Sequence, residues 1–114
     1  MINNQTRLVS VKTYLNLQLI NASDILCCVS AGRTADVILV SGKSIQTMHS
    51  LKELEEKLKH GRFLRCHAKY LINLEHPLTY DSQNREIELS NNMKLSVAKD
   101  RKALVTKILN NSLF

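Results

Sequence analysis

The chain of 114 residues has no Trp, two Phe (Phe63, Phe114) and three Tyr (Tyr14, Tyr70, Tyr80). So few rings cannot tile a platform on which successive unpaired bases stack, which weighs against single-stranded RNA or DNA as a partner. A single Pro (Pro77) and three Gly (Gly32, Gly42, Gly61) leave no linker or low-complexity stretch, and no internal repeat is present. No apolar run approaches the roughly 18 residues of a membrane span. The N-terminal MINNQTRLVS lacks the apolar stretch of a secretory signal. A soluble, cytoplasmic protein with no membrane partner is expected.

Three Cys (Cys27, Cys28, Cys66) are an odd number without C-x-x-C spacing, and four His (His49, His60, His67, His76) show no H-x-x-x-H. This pattern fits reduced thiols and gives no metal site and no cofactor. Neighbouring residues on a strand face opposite ways, so one of Cys27 and Cys28 is expected in the core. No Gly-rich phosphate loop, G-x-S-x-G or paired-carboxylate motif occurs. Cys66-His67 has the residue types of a nucleophile and base, but adjacency on a strand separates them and no carboxylate is placed to orient the ring. Cys66 therefore reads as a buried structural thiol, and no catalytic residue is assigned.

What the chain has is positive charge: 16 Lys and Arg against 10 Asp and Glu, a net +6 and a pI near 9.4. Polyanions are the favoured partners, nucleic acid first. Between Gly61 and Leu74 stand Arg62, Arg65, His67 and Lys69 with no acid at all. Further cations fall at Arg33 and around Lys94, Lys99, Arg101 and Lys102. All lie at turns or element ends, where a rigid scaffold presents recognition loops. Converging on one face, they would form a stripe able to neutralise several phosphates; scattered, they are ordinary solvated charge. Arg33 and Lys99 are also of the type that reaches guanine O6 and N7 in a major groove. By contrast Lys52, Glu53, Glu55, Glu56, Lys57 and Lys59 balance one another at helical spacing and read as a solvent face.

Nine short β-type runs follow at close spacing: 8–13, 17–20, 25–29, 36–40, 44–48, 69–74, 78–81, 85–89 and 93–97. Turn residues separate them at Ser30–Arg33, Val40–Lys43, Asp81–Asn84 and Ser90–Asn92. Two helices interrupt. Ser50 with Glu53 makes a capping box, Leu51, Leu54 and Leu58 form the inward stripe, and Gly61 is read as the stop. Asp100 is read as opening the second helix, with Leu104, Val105 and Ile108 or Leu109 inward and Lys107 near its end. Asn73, polar within an apolar run, is expected to close a turn or satisfy backbone groups. The fold class is mostly β, antiparallel, with one short internal helix and a C-terminal helix. The whole chain, 1–114, is taken as one domain, which at this length buries roughly two-thirds of its unfolded surface.

The order of elements and three strings carry a resemblance. Asp24-Ile25-Leu26-Cys27, then Ser50-Leu51-Lys52-Glu53-Leu54, then Phe63-Leu64-Arg65-Cys66-His67-Ala68-Lys69-Tyr70-Leu71-Ile72-Asn73 stand in family order, with Leu95-Ser96-Val97-Ala98-Lys99 following. From about residue 24 to 109 the chain resembles the LytTR family of DNA-binding domains of bacterial LytR and AlgR type regulators; strands within 7–20 are counted in the same fold. The resemblance implies an elongated antiparallel β fold whose loops enter successive major grooves of double-stranded DNA, usually at paired repeats in promoters. It implies transcription regulation, either as the output domain of a two-component response regulator, partnered by a receiver domain in the same or a longer chain, or as a stand-alone regulator. No heptad or large apolar stripe points to a stable dimer, so a monomer in solution that pairs on DNA is expected. Base-reading loops then fall at Arg33, Thr34, Ala68, Lys69 and Lys99, with Arg65, His67, Arg101 and Lys102 at phosphates. Ala68 stands where a longer polar or basic side chain is usual and Ala98 where Ser is, so readout from the middle loop is expected to be weaker or shifted to Lys69. A different class is also compatible with the charges: a protein-interaction module whose basic loops dock an acidic partner.

Overall fold

A computed structural model of the chain describes residues 7–111. β1 (Leu8–Lys12) and β2 (Leu17–Asn21) form a hairpin, and β3 (Ile25–Ala31), β4 (Thr34–Leu39) and β5 (Ser44–Gln46) form a meander. Helix α1 (Leu51–Lys57) leads into β6 (Phe63–His67) and β7 (Tyr70–Asn73). Strands β8 (Leu78–Asp81), β9 (Glu86–Leu89) and β10 (Lys94–Ser96) precede a 3-10 turn, Lys99–Arg101, and helix α2 (Lys102–Asn110). Every strand pairing among the described residues is antiparallel. The mostly-β class with two helices is the one expected. The body measures 41 × 41 × 24 Å, a slab extended in two directions.

The central layer is a five-stranded sheet ordered β5-β4-β3-β7-β6, flanked by the two-stranded β1-β2 and the three-stranded β10-β9-β8. Its two faces bury different cores. On one, Val9, Val11 and Ile20 of the first hairpin and Leu51, Leu54 and Leu58 of the α1 region meet Cys28, Val37, Ile45 and Leu71. On the other, Ile87, Leu89, Leu95 and Val97 of the second sheet and Val105 of α2 meet Cys27, Leu64, Cys66 and Ile72. A sheet covered on both faces has no solvent side, which is why β3 reads as a continuous apolar run.

That double cover corrects the expectation for the vicinal thiols: Cys27 and Cys28 do face opposite ways, yet both are fully buried, one in each core. A bulge at Leu26, where the register slips between Ile25 and Cys27, puts Leu26 and Cys27 on the same side. Burial raises the Cys27 thiol to about 12 and Cys28 further still.

Strand β6 is the element that strand periodicity does not single out, because its cations make it read as a basic arm. Leu64 and Cys66 point into the core while Phe63, Arg65 and His67 stay on the rim. The capping box at Ser50 and Glu53 is present as expected. The helix stops sooner than Gly61, at Lys57 with Leu58 as its cap. Gly61 instead lies close under the Phe63 ring, where a Cβ would meet it at 3.2 Å and force it to shift slightly. Asp100 does not cap α2: it lies inside the 3-10 turn, whose N-cap Ala98 offers no side-chain bond. Of the residues expected inward on α2, Leu104 is exposed while Val105 is buried. Asn73 meets its expectation, with its Nδ2 donating to the Ile25 carbonyl at 2.9 Å and its Oδ1 accepting from the Glu75 N–H at 2.9 Å.

Candidate nucleic-acid interface

Three connections hold the cations named above. The first joins β3 to β4 through Gly32 and Arg33, between the paired residues Ala31 and Thr34. Gly32 has φ +73°, and a left-handed first position is what a two-residue hairpin of the II′ kind demands. Arg33 at its tip is exposed and Thr34 half-buried.

The second joins β6 to β7 through Ala68 and Lys69, both exposed. Neither residue has a positive φ, so the turn lacks the backbone device that matches a tight hairpin to strand twist. Side chains close it instead. The Arg65 Nε donates to the His67 carbonyl at 3.0 Å and a terminal nitrogen to the Ala68 carbonyl at 2.7 Å. The Lys69 N–H donates to Nδ1 of His67 at 3.1 Å, which leaves Nε2 to carry the proton of the neutral ring. That ring lies against Tyr70, centroids 5.2 Å apart. A bulge at Cys66, where the register slips between Arg65 and His67, re-aims the end of the strand.

The third is the stretch from β10 into α2, with Lys99 and Lys102 exposed and Arg101 half-buried.

Two backbone hydrogen bonds join the three connections. The Ser30 N–H donates to the Lys69 carbonyl at 2.9 Å, and the Ala98 N–H donates to the Cys66 carbonyl at 3.0 Å. The first and second turns are therefore side by side on neighbouring strands, their centres about two strand spacings or ~10 Å apart. The 3-10 turn abuts the second from the other side. Arg33, Thr34, Ala68, Lys69 and Lys99 thus occupy one edge of the central sheet, with His67, Arg101 and Lys102 beside them. Asp100 is the acid in the third segment.

Arg65, expected at a phosphate, is placed differently from the others. Its third contact is Glu55 of α1, at 2.7 Å, and its side chain is only 20% exposed. Glu55 itself was not legible as part of this region, because among the balanced charges of α1 nothing in the linear sequence sets it apart. Beneath the edge, Arg101 and Arg65 favour the Cys66 thiolate, but burial dominates and holds the thiol up at about 11. A thiol so placed is not a nucleophile near neutrality.

The described residues form an antiparallel scaffold with cations gathered at neighbouring connections. Residues 16–110 match the family described as the LytTr DNA-binding domain, and the chain belongs to that family, as its motif strings led to expect. It is 37% identical over 59 residues to the sensory transduction protein LytT of Oceanobacillus iheyensis, a stretch covering 52% of this chain and 24% of that protein. The chain thus matches about a quarter of that relative's length. The structure is similar to the LytTr DNA-binding domain of a putative methyl-accepting/DNA response regulator from Bacillus cereus, with a TM-score of 0.72 and 20% identity. That likeness covers 90% of this chain and 95% of the other and shows the fold. No helix among the described residues is long and apolar enough to cross a membrane.

Proposed function

We propose that this domain reads double-stranded DNA by sequence at promoter sites, as the output unit of a two-component type regulator, with a receiver domain as its partner in signalling. The observation that carries the reading is the pair of hydrogen bonds, Ser30 to Lys69 and Ala98 to Cys66, that merge three separate cationic connections into one edge. Arg33, Thr34, Lys69 and Lys99, with Ala68 between them, meet base edges in major grooves; His67, Arg101 and Lys102 meet phosphates. Nδ1 of His67 accepts from the Lys69 N–H within the turn, which leaves Nε2 as the ring nitrogen able to donate. Paired repeats are the expected targets, occupied by two copies that are monomers in solution.

Selection of binders from a randomised duplex pool at near-physiological salt tests this. A recurring pair of similarly oriented short motifs is the expected outcome. Retained binding without enrichment would mean the edge grips phosphate alone, and docking of an acidic protein would become the better reading. Within the site, Lys99→Ala should reduce discrimination between the selected duplex and a scrambled one about tenfold or more. Lys102→Ala should weaken both about equally and make the salt slope shallower by about one contact. Equal loss of discrimination in the two variants would sink that division of roles.

A further inference from the structure

We infer that Arg65 is a positioning residue rather than a phosphate contact: anchored by Glu55, it sets the shape of the His67–Lys69 turn and through that turn the discrimination among duplex sequences. The inference rests on the DNA-reading function proposed above. Three protein acceptors surround the guanidinium: Glu55 Oε1 at 2.7 Å, the His67 carbonyl at 3.0 Å and the Ala68 carbonyl at 2.7 Å. The two carbonyls belong to successive residues of the turn, and they converge on one planar fork whose opposite end is held by a carboxylate from another element. A guanidinium can do this because its donors are fixed in a plane; an ammonium, a point charge on a flexible stem, cannot span the same three acceptors.

The turn needs such a device. It connects two strands with two residues and no positive φ, its residues 68 and 69 are exposed, and Lys69 sits at its tip among the base-reading candidates. Without the fork, the two carbonyls would turn to water and Lys69 would sample several directions, lowering specific affinity through lost pre-organisation. Phosphate-backbone grip, which depends on net charge and tolerates mobile side chains, would be spared. The Glu55 carboxylate lies against the guanidinium and offsets its charge.

The alternatives make opposite forecasts for Glu55→Gln, a change at a side chain that is 45% exposed. If Arg65 were a phosphate contact, removing the carboxylate would free it and remove an acid, so every duplex should bind more tightly. If Arg65 positions the turn, the selected duplex should lose affinity while the scrambled duplex gains slightly or is unchanged. The experiment measures both affinities by fluorescence anisotropy across a salt series, for the unsubstituted protein, Glu55→Gln and Arg65→Lys. The probes are the duplex enriched by the unsubstituted protein and a scrambled duplex of equal length. We expect both variants to lower the selected-to-scrambled ratio about tenfold, as the loss of charge-assisted hydrogen bonds warrants, with the scrambled-duplex salt slope unchanged. A tighter selected duplex with Glu55→Gln, or a retained ratio in both variants, would overturn the inference.

Amide hydrogen exchange supplies a readout that needs no DNA. The Lys69 N–H, bonded to His67 within the turn, should exchange about tenfold faster in both variants, because opening that turn no longer breaks the fork. Unchanged exchange at Lys69 overturns the inference even where no duplex is enriched, and in that case the DNA-reading function fails separately. If Arg65→Lys does not fold, Glu55→Gln decides both measurements alone.

Discussion

The β3–β4 and β6–β7 turns lie next to each other on one sheet, each with two residues at its tip, and they are built on different principles. The first is self-sufficient: Gly32 takes φ +73°, and backbone chirality alone gives the hairpin the right twist. The second has no such residue and is held by side chains that reach it from β6 and, through Glu55, from α1. One turn encodes its shape locally and the other borrows it from a helix ten residues upstream of Arg65. A sheet end made of both kinds can change its second turn without touching the first.

The largest change that tests this contrast is removal of the frame on which the middle turn hangs. Asn73 pins the far end of β7 by bonding Ile25 and Glu75 in a fully buried position. Asn73→Leu leaves those backbone groups unsatisfied and should destabilise the domain by about 3 kcal/mol, read by urea denaturation. Less than about 1 kcal/mol would show that buried water or relaxation replaces the amide. Next comes Gly32→Val. A Cβ there meets nothing within 4 Å, so the cost is conformational only, about 1–2 kcal/mol, and Lys69 exchange should be unaffected. Accelerated exchange at Lys69 in this variant would mean the two turns are not independent. Ser50→Ala, which removes the side chain that accepts from the Glu53 N–H at 3.1 Å, should cost about 1 kcal/mol. Because α1 carries Glu55, it should also loosen the middle turn while sparing the first.

The same contrast explains how much could be read before the fold was known. Local devices are visible in sequence: the Ser50 capping box, the Gly32 and Gly42 turns, the leucine stripe of α1 and the period-2 strands all depend on residues within a few positions of one another. The motif around Phe63 to Asn73 likewise led to the family and to the cations that the fold gathers. What sequence could not give is whatever depends on a second element lying alongside. Both Cys27 and Cys28 are buried because a second sheet covers the face a lone sheet would leave wet. Arg65 looked like one more cation because its partner is on another element. Leu104 looked inward because nothing in the sequence marks which face of α2 meets the second sheet. Asp100 had the chemistry of a cap but not its position.

The smallest effect concerns pH and separates the two turns once more. Beside the first turn, the Lys12 N–H donates to Nε2 of His49 at 3.0 Å, and the Ala35 N–H donates to the His49 carbonyl at 2.8 Å. His49 therefore staples the first hairpin to the β4 side of the sheet, and only its neutral ring can accept that bond. Burial first, and then Lys57, hold its pKa below the ordinary histidine value, with Lys12 acting in the same direction and Glu53 against them. A base whose folded pKa is depressed stabilises the fold above its unfolded pKa, near 6.5, and that stability is lost as pH falls through the lower folded value. Acidification below about 6.5 should thus slightly lower the melting temperature and speed exchange at the Lys12 amide before that at Lys69. His49→Gln, which keeps an acceptor but cannot titrate in this range, should flatten the acid limb. A limb of the same steepness in that variant would assign the pH dependence to other groups and leave the first hairpin without its staple.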